Sequence, residues 1–287
     1  MQARMADPTW LESQYNNRAL VPDHAAILAR WAADSARVRR ADRCVLDLPY
    51  GESAQETLDI FLPPAAAEPA PVIVFIHGGW WRSLDKADHS FVAPALTAAG
   101  AVVVVPNYAL CPAVTVDAIA LQMTRALAWV WRNAAAHGGD PRRIVAAGHS
   151  AGGHLAALLL TCLWHKVGAD LPPGLLRGAM AISGVFDLDP LHRTPFLQRD
   201  LRLTPASVRR LSPAHLPPPT GPLFAVAGAD ESSEFVRHLD LIRAAWGGDA
   251  VPVSETIASA NHFTVLDELA RPGSRVHGLA LKALELA

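Results

Sequence analysis

The fold is decided by one stretch, Ile144-Val145-Ala146-Ala147-Gly148-His149-Ser150-Ala151-Gly152-Gly153-His154-Leu155. Its first four residues form an apolar run of strand length. From 151 to 165 the chain is apolar nearly all round, as a buried helix is. Between the two stands Gly148-His149-Ser150-Ala151-Gly152, a G-x-S-x-G pattern. The pattern alone is a weak signal, and its plain alternative is a Gly/Ser-rich helix start with no chemistry. A strand entering and a helix leaving make it a tight turn. Such a turn projects the serine hydroxyl above a sheet edge, at the positive end of the following helix. Ser150 is therefore the candidate nucleophile.

Working outward, residues 72–76, 102–105 and 223–227 are further continuous apolar runs, the pattern of strands buried on both faces. Residues 57–61 alternate instead, which suits an antiparallel edge, and 179–182 and 251–257 read as two more strands. Helical stretches fill the gaps. Residues 117–136 carry Ile119, Met123, Leu127, Val130 and Trp131 at helical spacing, and 231–246 stop at Gly247-Gly248. The alternation predicts an α/β fold, a doubly wound and mostly parallel sheet of about eight strands. Residues 10–40 read as a helical segment anchored by Trp10, Leu28 and Trp31. Residues 185–219 are Pro-rich with one amphipathic piece at 206–211. They are expected to form a small cap over the sheet edge within a single domain, 1–287.

Composition narrows the function classes. A chain of 287 residues, 51% hydrophobic and 18% charged, can bury a large core. The formal net charge is −2, and the densest basic group (Arg37, Arg39, Arg40, Arg43) is interleaved with Asp34, Asp42 and Asp47. That is a solvated charged segment and not a nucleic-acid surface. Cys44, Cys111 and Cys162 are odd in number and lack CxxC spacing, which fits a reducing compartment. The first ten residues lack an apolar signal core, and no apolar stretch is long enough to span a bilayer. A cytoplasmic protein without a membrane partner is expected; oligomeric state is not legible. HExxH, GxGxxG, GxxxxGK and Cys/His ligand spacings are all missing, so no metal and no cofactor are expected.

A serine nucleophile needs a base, and the base needs an acid to orient it. His262 follows the last strand and is the expected base; His238 falls mid-helix and His277 lies near the chain end. Asp230 follows the strand at 223–227, where ligand sites of open α/β sheets gather, and is the expected acid. Asp187 is its rival, and Glu231 reads as a charge at a helix N-terminus. After the strand at 72–76 comes His77-Gly78-Gly79-Trp80, where the N–H groups of Gly79 and Trp80 can join that of Ala151 as an oxyanion hole. His77 and His154 are expected to be structural. Trp81, Tyr108, Phe186 and Phe263 are expected to line an apolar substrate site, since each follows a strand or a motif closely. If the indole at 80 or 81 points into the site, a small acyl group is favoured; if both pack into the core beneath the loop, the acyl side is left open.

With these residues in place, the chain resembles the kynurenine formamidase (arylformamidase) group of α/β-hydrolases, near the hormone-sensitive-lipase-like esterases. The matching pieces are Tyr15-Asn16-Asn17-Arg18, His77-Gly78-Gly79-Trp80-Trp81, Pro106-Asn107-Tyr108, the stretch from Gly148 to Leu155, Gly228-Ala229-Asp230-Glu231 and Asn261-His262-Phe263. The resemblance implies the α/β-hydrolase fold, no cofactor, and hydrolysis of a small-molecule aryl formamide or aryl ester through an acyl-enzyme. A general short-chain carboxylesterase is the alternative. A non-catalytic ligand-binding protein on the same fold is disfavoured because all three members of a triad are present.

Overall fold

The computed structural model describes residues 7–41, 43–64 and 68–287; Asp42 of the charged segment, residues 65–67 of a proline-rich turn and the first six residues lie outside it. The described residues form one sheet from β1 (Cys44–Pro49), β2 (Thr57–Phe61), β3 (Ala70–Ile76), β4 (Val102–Pro106), β5 (Gly139–His149), β6 (Leu176–Ile182), β7 (Leu223–Gly228) and β8 (Val253–Ile257). The order across it is β1-β2-β4-β3-β5-β6-β7-β8. β2 runs antiparallel to β1 and β4, and every other neighbouring pair is parallel. This is the α/β-hydrolase fold. β1 is the strand the sequence pattern did not single out. Its residues are half-buried, Asp47 has a φ of 57°, and the register with β2 shifts between Val45 and Leu48, so no clean alternation survives.

Alternating residues of the central strands feed two cores. Val72, Val74, Ile76, Ile144 and Ala146 face one; Ile73, Phe75, Val145 and Ala147 face the other. The helices are α1 (Pro8–Tyr15), α2 (Asn17–Leu20), α3 (His24–Ala41), α4 (Ala93–Ala98), α5 (Val116–Asn133), α6 (Ala151–Leu160), α7 (Trp164–Val167), α8 (Asp189–His192), α9 (Pro195–Leu201), α10 (Pro205–Leu211), α11 (Ser233–Ala250), α12 (Thr264–Ala270) and α13 (Arg275–Ala283). Ile119, Leu155 and Ile242 of α5, α6 and α11 belong to the first core. Trp31, Leu96, Leu266 and Leu279 of α3, α4, α12 and α13 belong to the second. Full burial of each such side chain contributes about 1.5–3 kcal/mol. α11 breaks at Gly247, whose φ is 84°, where the Gly-Gly pair interrupts the amphipathic pattern. Among the described residues no helix is long and apolar enough to cross a membrane.

Parallel register brings the C-terminal ends of the inner strands to one edge: Ile76 pairs with Gly148, His149 with Ile182, and Ile182 with Val226. The loops that leave this edge carry Ser150, Glu231 and His262. The 185–219 stretch folds as α8, α9 and α10 between β6 and β7. Arg82, in the loop after β3, ties α9 to that edge through Asp200 (2.5 Å) and the Phe196 carbonyl (2.7 Å).

Candidate active site

Ser150 sits between β5 and α6 with φ 55° and ψ −117°, a strained backbone for a residue with a side chain. The turn closes only because Gly148 and Gly152, two residues to either side, lack side chains. A Cβ on Gly152 would lie 1.9 Å from the Ile76 carbonyl oxygen, so the helix could not come this close to β3. The Ser150 N–H donates to Ile182 O (2.8 Å), which anchors the elbow to β6.

The hydroxyl lies 3.1 Å from His262 Nε2. His262 is held from four sides. Asn261 accepts the N–H groups of Phe263 and Thr264 (2.9 and 3.0 Å) at the start of α12. His149 Nε2 donates to the His262 carbonyl (2.7 Å). The rings of Phe235 and Phe263 stand 4.6 and 5.5 Å from the imidazole. On the far side, His262 Nδ1 meets Glu231 Oε2 at 2.6 Å.

This corrects the expected acid. Asp230 is exposed to solvent; the neighbouring Glu231, whose side chain is wholly buried, reaches the imidazole. The reason is local. α11 starts at Ser233 with Ser232 as its N-cap, so Glu231 lies in the turn after β7 and not in the first helical turn. Its other oxygen, Oε1, accepts the Gly228 N–H (2.6 Å) and the Ser183 hydroxyl (2.5 Å), folding the side chain back over the strand end. Asp187 lies apart from His262 and faces His215 at 3.6 Å.

The loop after β3 runs beside Ser150: Gly79 and Trp80 line the same cleft as Ser150 and His262. Gly79 has a φ of 102°, and a Cβ there would meet the Ser83 carbonyl at 2.2 Å, so glycine is required. Among the described residues the N–H groups of Gly79 and Trp80 have no hydrogen-bond acceptor, and Ala151 is the first residue of α6, where an N–H has no intrahelical partner. His77 braces this loop. It is fully buried, stacks on Tyr108 at 4.2 Å and contacts Asn107 Oδ1 at 3.2 Å; burial pushes its pKa down to about 3.

The expected substrate wall is only partly there. Phe263 lines the cleft, but Trp81, Tyr108 and Phe186 are wholly buried in the core beneath it. Trp81 stands edge-on to His154 (4.9 Å, 90°), and Tyr108 donates its hydroxyl to the His77 carbonyl (2.9 Å). Following a strand places a residue near the edge without fixing which way its side chain turns. The cleft, about 60 Å³, is instead completed by Asn17, Arg18, Trp31, Arg82 and Phe196, drawn from the N-terminal helices, the β3 loop and α9. Spatial neighbours bring these residues to the cleft; the sequence signals were the Tyr15-Asn16-Asn17-Arg18 match and the aromatic character of Trp31 and Phe196.

Three comparisons bear on this arrangement. A family model described as BD-FAE matches residues 58–167. Kynurenine formamidase of Danio rerio is 29% identical over 255 residues, covering 86% of this chain and 84% of that protein. A solved structure from Silicibacter sp. TM1040, provisionally named a thioesterase, superposes with a TM-score of 0.82 at 30% identity, covering 93% of this chain and 97% of that one. An esterase from Pyrobaculum calidifontis, 18% identical, shares the fold with a TM-score of 0.68 over 92% of this chain and 94% of its own. Fold and relatives together define a hydrolase enzyme of the α/β-hydrolase class. Within that class the chain is arylformamidase-like, similar over most of its length to the kynurenine formamidases of Danio rerio and Salmo salar.

Proposed function

We propose that the enzyme is a serine hydrolase that removes a small acyl group from an aryl formamide or aryl ester through an acyl-enzyme. One observation carries this: His262 bridges Ser150 (3.1 Å) and a buried carboxylate, Glu231 (2.6 Å). With Glu231 holding the Nδ1 proton, Nε2 is free to take the Ser150 proton as Oγ attacks the carbonyl carbon. The oxyanion is received by the N–H groups of Gly79, Trp80 and Ala151. On collapse, His262 Nε2 passes its proton to the leaving arylamine or phenol, and the acyl group stays on Oγ. A water then repeats the sequence and releases the acid with Ser150 restored. The α8–α10 segment acts as the cap, since Phe196 reaches the cleft from it.

The size of the acyl group follows from Trp80. Its indole, partly buried, lines the cleft and meets Tyr15 edge-on at 6.0 Å and 81°. It removes volume beside the carbonyl, whereas Trp81 lies in the core. The test is a series of p-nitrophenyl esters from formate to octanoate. Rates are expected to fall steeply with chain length, and Trp80→Ala to flatten the fall. A wild-type enzyme fastest on octanoate would refute the small-acyl reading in favour of a general carboxylesterase.

A further inference from the structure

The Glu231 carboxylate has two ends with different work. Oε2 faces the imidazole, and Oε1 takes two donors, the Gly228 N–H and the Ser183 hydroxyl. The Gly228 bond is local, three residues away. Ser183 comes from another strand: it is the residue after β6 and is 1% exposed. Its backbone has a φ of 51°, the left-handed region that glycine occupies freely and a serine does not. Glycine is available next door as Gly184, yet the strained position keeps a hydroxyl. The same strand end also serves the nucleophile. Ile182 accepts the Ser150 N–H (2.8 Å), and Ser183 donates its own N–H to Val226 of β7 (2.7 Å). Two successive residues therefore fix the elbow on one side and the acid on the other.

We propose that Ser183 is a positioning residue for the reaction: its hydroxyl locks the rotation of the Glu231 carboxylate so that Oε2 alone meets His262. The proposal rests on Glu231 being the acid of the triad. Strain held at a buried hydroxyl that touches neither substrate nor imidazole fits that task. Loss of the donor also changes the charge balance. A carboxylate with one donor fewer holds the imidazolium more tightly, so the acidic limb of activity should move to higher pH.

Two variants separate this from a purely structural role. Ser183→Gly removes the hydroxyl while suiting the φ, and Ser183→Ala removes it and keeps the Cβ. Both are measured with p-nitrophenyl acetate for kcat, KM and the pH profile of kcat/KM, alongside thermal unfolding and Glu231→Gln. The expected result is a kcat lowered about 10- to 100-fold in both, as for loss of a hydrogen bond to a charged group. KM should hold, the acidic limb should move up, and the glycine variant should unfold no earlier than wild type. An unchanged kcat and acidic limb beside a crippled Glu231→Gln would overturn the proposal and leave the triad standing. A loss confined to the glycine variant would report backbone loosening and overturn it too. Full activity in Glu231→Gln would overturn the triad itself.

Discussion

The two ends of the hydrogen-bonded chain are fixed by different means. At the elbow, Ser150 is placed by its own backbone: φ 55°, glycines on both sides, and α6 pressed against the end of β3. Among the described residues its hydroxyl has one hydrogen-bond partner, His262. At the turn after β7 the backbone is pinned as well, with the Ala229 and Asp230 N–H groups donating to Ile257 and Ala260, but Glu231 is placed above all by its side chain, whose two oxygens meet Ser183, Gly228 and His262. The proposed nucleophile, which must move toward a carbonyl carbon, carries its hydroxyl on a rigid base with the His262 imidazole beside it. An acid that must not move is tied at both oxygens. Damage to the elbow backbone should therefore cost the fold, and loss of the side-chain contacts of Glu231 should cost rate.

The largest expected effect is at the elbow. Gly152→Ala drives a Cβ to 1.9 Å from the Ile76 carbonyl, a backbone atom of a central strand that cannot rotate away. The variant should be lost to the insoluble fraction or show a thermal midpoint many degrees below wild type. Overpacking of this kind costs about 1–3 kcal/mol where side chains can yield, and more where backbone is met. Recovery of normal yield and midpoint would break the comparison, since the elbow would then be as tolerant as the acid turn.

A smaller effect concerns pH. Burial lowers the pKa of His77 to about 3 and of His154 to about 4, and holds His89, His149 and His238 below the usual histidine value. A histidine depressed in the folded state stabilises the fold above its unfolded value, near 6.5, and loses that contribution as pH falls. Between pH 8 and pH 5 His77 and His154 should each cost about 2 kcal/mol of stability, and the other three act in the same direction. His77 and His149 flank the nucleophile, His89 stacks on His77, and His154 lies in α6, whereas His238 alone belongs to the acid side. Chemical denaturation across that range should show the falling stability. Hydrogen exchange should show protection lost first around the β3 loop and the elbow. Uniform loss over the molecule would deny the nucleophile side its special dependence on neutral imidazoles.

The same contrast explains what could be read from sequence. The elbow is built from consecutive residues, so an apolar strand, a G-x-S-x-G and an apolar helix announce it together. His262 is similarly local to the end of β8 and the start of α12. The acid was one residue from the position expected, because the choice between Asp230 and Glu231 depends on where α11 begins and on Ser183, 48 residues away. Trp81, Tyr108 and Phe186 were assigned to the cleft by adjacency to strand ends, and packing turned them into the core. Asn17, Arg18 and Phe196 reach the cleft from elements remote in sequence, which no local pattern encodes.

The central claim is that Glu231, and not the solvent-facing Asp230, completes the triad with His262 and Ser150. The direct measurement is kcat/KM for Glu231→Gln and Asp230→Asn on p-nitrophenyl acetate, with folding checked by thermal unfolding. Removing the charge that orients a catalytic histidine lowers the rate by about 10⁴-fold in a serine-protease triad. Glu231→Gln is expected to fall by about 10³- to 10⁴-fold, and Asp230→Asn to stay within about twofold of wild type. A crippled Asp230→Asn beside an active Glu231→Gln would contradict the account.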